Sequence, residues 1–121
     1  MSTFNNSVQL IGHLGSDIEY RELENGNKLA KVSIATNEYY KDKQGTKQVR
    51  TLWHRLIAWG FVAERMQMLL KKGSYLAVKG KLTYGDYEDK EGNRKYYSEI
   101  QVLEFHLLDK VPKPQPEEIS A

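Results

Sequence analysis

Hydrophobic and polar positions alternate with a period of two along most of this chain, the mark of half-buried strands. In the first run Val8, Leu10, Gly12 and Leu14 fall on one face, with Gln9, Ile11 and His13 on the other. Gly15-Ser16-Asp17 breaks or bends it, and a further extended stretch from Ile18 to Leu23 leads into Asn25-Gly26. Both residues of that dipeptide accept positive φ, so it reads as a hairpin turn. The next strand is predicted from Lys28 to Tyr40, with Ala30, Val32, Ile34 and Thr36 on one side. A polar loop, Lys41 to Gln48, follows by composition, and Arg50 to Trp59 resumes the strand pattern.

From Phe61 to Lys72 the period changes. Phe61, Val62, Met66, Leu69 and Leu70 recur at helical spacing, and Gly73 stands where a helix would be capped. Arg65, Lys71 and Lys72 occupy the polar side and the last turn, where cations suit the helix dipole. Two more strands are predicted, Ser74 to Tyr84 and Arg94 to Leu107, joined by a polar loop containing Asp89-Lys90-Glu91-Gly92-Asn93. From Asp109 the periodicity ends, and Pro112, Pro114 and Pro116 alternate with polar residues. The expected organisation is one domain over 1–108 and a flexible, partly extended tail over 109–121. Three strands, a helix and two strands match the mainly-β, five-stranded oligonucleotide/oligosaccharide-binding (OB-fold) barrel, with its helix between strands 3 and 4. Other small α+β domains can carry the same element count.

Composition narrows the class. A chain of 121 residues suits one domain with one modest core. With 28% charged and 40% hydrophobic residues it is an ordinary globular sequence. The net charge of +2, from 18 basic and 16 acidic residues, is too small to argue for an anionic partner, so the distribution of charge must decide. The absence of cysteine excludes a disulfide framework and thiolate metal or Fe–S centres. No apolar run approaches the roughly 18–20 residues that span a bilayer. The start, Met1-Ser2-Thr3-Phe4-Asn5-Asn6, lacks the pattern of a secretory signal, so a cytoplasmic address is expected.

Enzyme chemistry finds no foothold. His13, His54 and His106 lie on three different predicted strands without metal-ligand spacing, and no nucleophile elbow, phosphate loop or dinucleotide fingerprint occurs. No catalytic residue, metal or cofactor is expected.

Aromatic residues are the informative class. Tyr39 and Tyr40 end a strand at the mouth of a Lys-rich loop, Tyr84 and Tyr87 flank Gly85-Asp86 where another strand runs out, and Tyr96 and Tyr97 return from that loop. A barrel core does not extend to such places, which makes Tyr40 and Tyr87 candidate binding residues. Trp53 and Trp59 share a strand face with Arg55 and Ile57, and that face fits a core role as well as a binding role. Unpaired nucleic acid wants aromatic platforms for its bases interleaved with cations for its phosphates. Lys41, Lys43, Lys47 and Arg50 cluster around one loop, Lys71 and Lys72 end the predicted helix, and Lys79 and Lys81 share a strand face. The candidate phosphate and backbone contacts are Lys41, Lys43, Arg55, Lys72, Lys79 and Lys81.

The run Val8-Gln9-Leu10-Ile11-Gly12-His13-Leu14-Gly15 resembles the opening strand of the bacterial single-stranded DNA-binding protein family. Asn25-Gly26, Ile34-Ala35-Thr36, Thr51-Leu52-Trp53-His54-Arg55, Lys72-Gly73-Ser74, Gly80-Lys81-Leu82 and Glu99-Ile100 follow in the family's order, without a large insertion between residues 4 and 106. The resemblance implies an OB-fold domain that assembles as a homotetramer and wraps single-stranded DNA in replication, recombination and repair, at the nucleoid. It implies stacking of bases on Tyr40, Trp53, Trp59 and Tyr87, where family members often carry Trp at the first and last positions and Phe at the third. It places His54 at a subunit interface.

The family's replicative members usually continue to an acidic tip ending in Phe, which recruits replication and repair enzymes. Here the sequence reads Pro116-Glu117-Glu118-Ile119-Ser120-Ala121, so recruitment through such a tip is not expected. Two other readings of the residues stay open. One is a dimeric docking module of the primosomal type that binds DNA weakly; the other is an RNA-binding barrel.

Overall fold

A computed structural model describes residues 5–109. Period-two alternation produces six strand segments, and the change of period after Trp59 one helix: β1 (Val8–Leu14), β2 (Glu19–Glu22), β3 (Lys28–Lys41), β4 (Lys47–Trp59), α1 (Gly60–Leu69), β5 (Tyr75–Glu88) and β6 (Arg94–Leu107). β1 pairs antiparallel with both β5 and β3, β3 with β4, and β5 with β6, while β4 and β6 meet in parallel at Leu56↔Ile100. Those contacts close a ring of five strands. The four-residue β2 lies past the bend at Gly15-Ser16-Asp17 and extends the edge of β3, from Glu19↔Lys31 to Glu22↔Lys28. The expected five-stranded barrel is thus present. Its helix falls between β4 and β5 because the short segment after the bend takes a number of its own.

The inward set is the one the alternation predicts on β3, Ala30, Val32 and Ile34, joined by Leu14, Leu56, Ala58, Leu76, Val78, Ile100 and Val102. Ala63, Met66 and Leu70 add the contribution of α1 to the same cluster. Lys28, at the start of β3, forms an ion pair with Glu64 of α1 and ties the helix to the barrel.

α1 departs from expectation at both ends of its apolar stripe. Phe61 and Leu69 are exposed, and the fully buried side chains are Ala63 and Met66. The helix also stops at Leu69 instead of Lys72, since Leu70 is already extended with φ −115°. The next amides leave the helical ladder: Lys71 N–H donates to Ser74 Oγ and Lys72 N–H to Asp17 Oδ1. Lys71 and Lys72 therefore lie beyond the helix and do not stabilise its last turn.

The long loops expected at 41–48 and around 85–93 shorten to 42–46 and 89–93. β3 and β4 run on to Lys41↔Lys47, and β5 and β6 to Glu88↔Arg94. One turn design closes both hairpins. Asp42 Oδ1 accepts the amides of Gln44 and Thr46, and Asp89 Oδ1 accepts those of Glu91 and Asn93. Gly45 and Gly92, at φ 79° and 86°, take the left-handed position that the turn requires. Compact turns let the ladders continue, so Tyr40 and Tyr87 stand on strands that project as two arms. The segment 109–121, expected as a tail, lies outside the described residues except for Asp109, whose carboxylate accepts the Tyr75 amide at 2.9 Å.

Candidate nucleic-acid interface

Strand pairing places most of the candidate side chains on one outer face. On β4, Leu56 and Ala58 point into the core, so Trp53, Arg55, Ile57 and Trp59 point the other way. Register carries that face across the sheet. Trp53 stands opposite Ala35, Arg55 opposite Ser33, Ile57 opposite Lys31 and Gln101, and Trp59 opposite Leu29. On the far side Lys81 pairs with Gln101, Thr83 with Glu99, Gly85 with Tyr97 and Tyr87 with Lys95. Trp53, Arg55, Trp59, Lys81, Tyr87 and the unanticipated Tyr97 therefore share a surface.

Exposure decides the ambiguity left by the alternation. Trp53 is 62% exposed and Trp59 42%, so neither indole fills the core; Tyr40 and Tyr87 are 44% and 55% exposed. Aromatic surface left in water to that extent is costly unless something covers it in use.

The centre of the face is a set of contacts. The Arg55 guanidinium lies 6.0 Å from the Tyr97 ring centroid, and the Tyr97 and Tyr87 rings are 6.3 Å apart at an interplanar angle of 38°. Trp53, Arg55, Tyr97 and Glu99 line a hollow of about 330 Å³. A second hollow, of about 320 Å³, continues past Arg55 and Glu99 to Lys31, Ser33 and Glu19. Rings, the cations of Arg55 and Lys31 and the carboxylates of Glu19 and Glu99 thus line an open surface of mixed polarity along the sheet.

Tyr40 belongs to a separate group on the β3–β4 arm. The Arg50 guanidinium lies 5.2 Å from its ring centroid, and Tyr39, Tyr40, Lys41, Lys47 and Gln48 line a concavity of about 360 Å³. Lys43 sits in the turn at the tip. Asp42 is the one acid in that turn, and the Thr46 amide, helped by the Gln48 side chain and the Gln44 amide, holds its carboxyl below the usual range.

Two candidates, Lys72 and Lys79, sit apart from these groups. Lys72 is in the turn after α1, with its amide bound to Asp17. Lys79 points outward on β5 but beside Gln9, Glu104 and His106, at the β1 side of the barrel. His54 lines the hollow beside Trp53 from the inward side of β4, half-buried, with Nε2 2.9 Å from the Thr36 hydroxyl. The three histidines have unrelated surroundings: His13 stacks on Tyr75, His54 meets Thr36 and His106 meets Glu104. Among the described residues no group of three or more His, Asp or Glu is placed to hold a metal ion. No helix among them is long and apolar enough to cross a membrane.

Tyr97 is the residue that sequence reasoning missed. Its position next to Tyr96 in a predicted strand gave no preference between the two, whereas counting alternate residues back from the buried Ile100 and Val102 puts Tyr97 outward with Glu99.

Residues 5–108 match the model of the single-strand binding protein family. A single-stranded DNA-binding protein 1 of Xylella fastidiosa is 42% identical over 106 residues, which are 87% of this chain and 78% of that one. A protein of the same description from Chlorobaculum tepidum is 41% identical over 85% of this chain and 64% of its own. Among solved structures, the Plasmodium falciparum SSB complex with ssDNA superposes with a TM-score of 0.81 at 26% identity, over 90% of this chain and 99% of that one. A deletion mutant of the Thermus aquaticus single-stranded DNA binding protein gives 0.76 at 27% identity, over 86% of this chain and 50% of its own. With that match over nearly the whole barrel, the chain belongs to the single-strand binding protein family.

Proposed function

We propose that the protein binds and protects single-stranded DNA with little regard to sequence, by stacking bases on aromatic rings and neutralising phosphates with Lys and Arg. The observation that carries this reading is the outer face on which Trp53 and Arg55 of β4 align, across β6, with Lys81 and Tyr87 of β5. Every base has a π-face, so a row of rings holds unpaired strands of any sequence, and a duplex hides those faces. Trp53, Trp59 and Tyr87 stack bases on the sheet, and Tyr40 stacks one on the β3–β4 arm. Arg55 and Lys81 meet phosphates beside the rings, and Lys41 and Lys43 meet them on the arm. Lys72 and Lys79 extend the path around the barrel.

Residues 1–108 act as the binding domain, and 109–121 follow it as a tail. Four copies form a homotetramer, with His54 at a subunit interface. The protein works at the nucleoid, in the cytoplasm, during replication, recombination and repair. Binding needs no cofactor and involves no catalysis.

Intrinsic tryptophan fluorescence during titration with oligo-dT tests the reading, with duplex DNA as control at low and high salt. Strong quenching by the single strand that persists at high salt is expected. Equal response to both ligands, or none to either with no binding by a second method, would overturn it. Sedimentation tests the assembly: a four-subunit mass that shifts to smaller species in His54→Ala is expected, and a dimeric wild type would favour the docking module.

A further inference from the structure

We propose that Tyr97 is a base-stacking residue and that the hollow between it and Trp53 receives a base. This rests on the single-strand-binding reading and adds a site to it.

Tyr97 lies across β5 at its partner Gly85, where an added Cβ would stand 2.3 Å from the ring carbon Cζ and the hydroxyl. A side chain at 85 would displace the ring, so the glycine makes the seat on which it rests. From that seat the ring reaches Tyr87 on one side, at 6.3 Å between centroids. On the other side it shares with Trp53 a hollow of about 330 Å³. Three rings from three different strands thus follow one another along the face. A tyrosine needed only to cover a glycine would not have to stand between two exposed aromatics.

The polar lining argues for a base and against a phosphate. Arg55, Glu99, His54 and Ser98 line the hollow, and the carboxylate repels a phosphate that the guanidinium alone would attract. A neutral base carries donors and acceptors on its edge that suit both groups. Phosphates then run along the rim, where Arg55, shared with the neighbouring hollow, meets one, and the base inserts toward the sheet.

Three variants and one crosslinking measurement test this, on protein first shown to bind oligo-dT. Tyr97→Leu is expected to weaken oligo-dT binding roughly tenfold without changing the salt dependence, the behaviour of a lost stack and not of a lost phosphate contact. Tyr97→Phe recovers what Tyr97→Leu loses. Gly85→Ala weakens binding too, but adds nothing in the Tyr97→Leu background, because both act on one ring. Ultraviolet crosslinking of an iodouracil-substituted oligonucleotide to the unaltered protein, read by mass spectrometry, places an adduct on Tyr97.

Wild-type affinity in a folded Tyr97→Leu overturns the proposal. If that variant melts early, adducts confined to other aromatic residues overturn it instead. Failure of the wild type to bind at all removes the functional reading together with this one, and is seen before any variant is made.

Discussion

Trp53 lies over Gly15: a Cβ added at that glycine would stand 2.5 Å from the six-membered ring of the indole. The bend that ends β1 therefore serves as a rest for a side chain of β4, and the indole is held in place while 62% of Trp53 stays open. A ring fixed before the ligand arrives loses little conformational freedom on stacking. Trp53→Ala is expected to cost about 1–3 kcal/mol of single-strand affinity. Its melting temperature should stay close to that of the wild type, since the side chain is outside the core. Gly15→Ala should weaken binding through the displaced ring. Oligo-dT titrations with parallel thermal melts check both, and unchanged affinity in folded Trp53→Ala would remove that residue from the site.

Arg55 and Lys81 should separate from the rings in their response to salt. Each phosphate neutralised on a single strand contributes a slope of about 0.7 in the logarithm of affinity against that of salt. Arg55→Gln and Lys81→Gln are each expected to flatten the slope by about that amount, while Trp53→Ala lowers affinity at every salt concentration. Titrations from low to high salt distinguish the two classes. An unchanged slope in Arg55→Gln would assign that side chain to the Tyr97 ring alone.

Much of the barrel is legible from alternation because one face of β3 is apolar, at Ala30, Val32 and Ile34, while Lys31 and Ser33 interrupt the other. β4 was harder. Leu56, Ile57 and Ala58 are all buried, so apolar residues occupy both faces and alternation could not say which way Trp53 pointed. Only the pairing of β4 with β3 and β6 decides it, and that information is long-range. The ends of elements depart from the pattern for a local reason. Asp42 and Asp89 each close a five-residue turn with their own carboxylates, and Asp17 and Ser74 draw off the amides after Leu70. A polar composition predicts long loops at the two hairpin ends, which side-chain capping shortens, whereas after Leu70 the same kind of bond ends the expected helix early. Tyr97 stayed hidden because its meaning depends on Gly85, across a strand pair.

Met66 should matter for stability and not for binding. It is fully buried, and with Ala63 it joins α1 to the barrel core. Met66→Ala leaves a cavity and is expected to cost about 2–5 kcal/mol in denaturant unfolding. The fraction that remains folded should bind oligo-dT with wild-type affinity. Weakened binding by fully folded protein would mean that the helix positions the outer face as well as filling the core.

Asp42 gives the β3–β4 arm a dependence on acid. Its carboxyl is held below the ordinary range chiefly by the Thr46 amide, so the charged form is favoured in the folded turn. A depressed carboxyl contributes stability above its unfolded value, and that contribution is lost as pH falls through the folded one. The turn should therefore hold at neutral pH and loosen only below about pH 4, the ordinary carboxylate range. The Thr46 amide proton, followed by NMR, is expected to shift with a midpoint below that range; a midpoint at or above it would contradict the turn geometry. Two substitutions then pull in opposite directions at neutral pH. Asp42→Ala removes the acceptor, frees the tip that carries Lys43, and should weaken binding on the arm. Asp42→Asn keeps an oxygen for the two amides and removes a negative charge from among Lys41, Lys43 and Lys47, so it should bind single strands more tightly at low salt. If both variants weakened binding equally, the charge of Asp42 would have to act on the DNA through something other than phosphate repulsion.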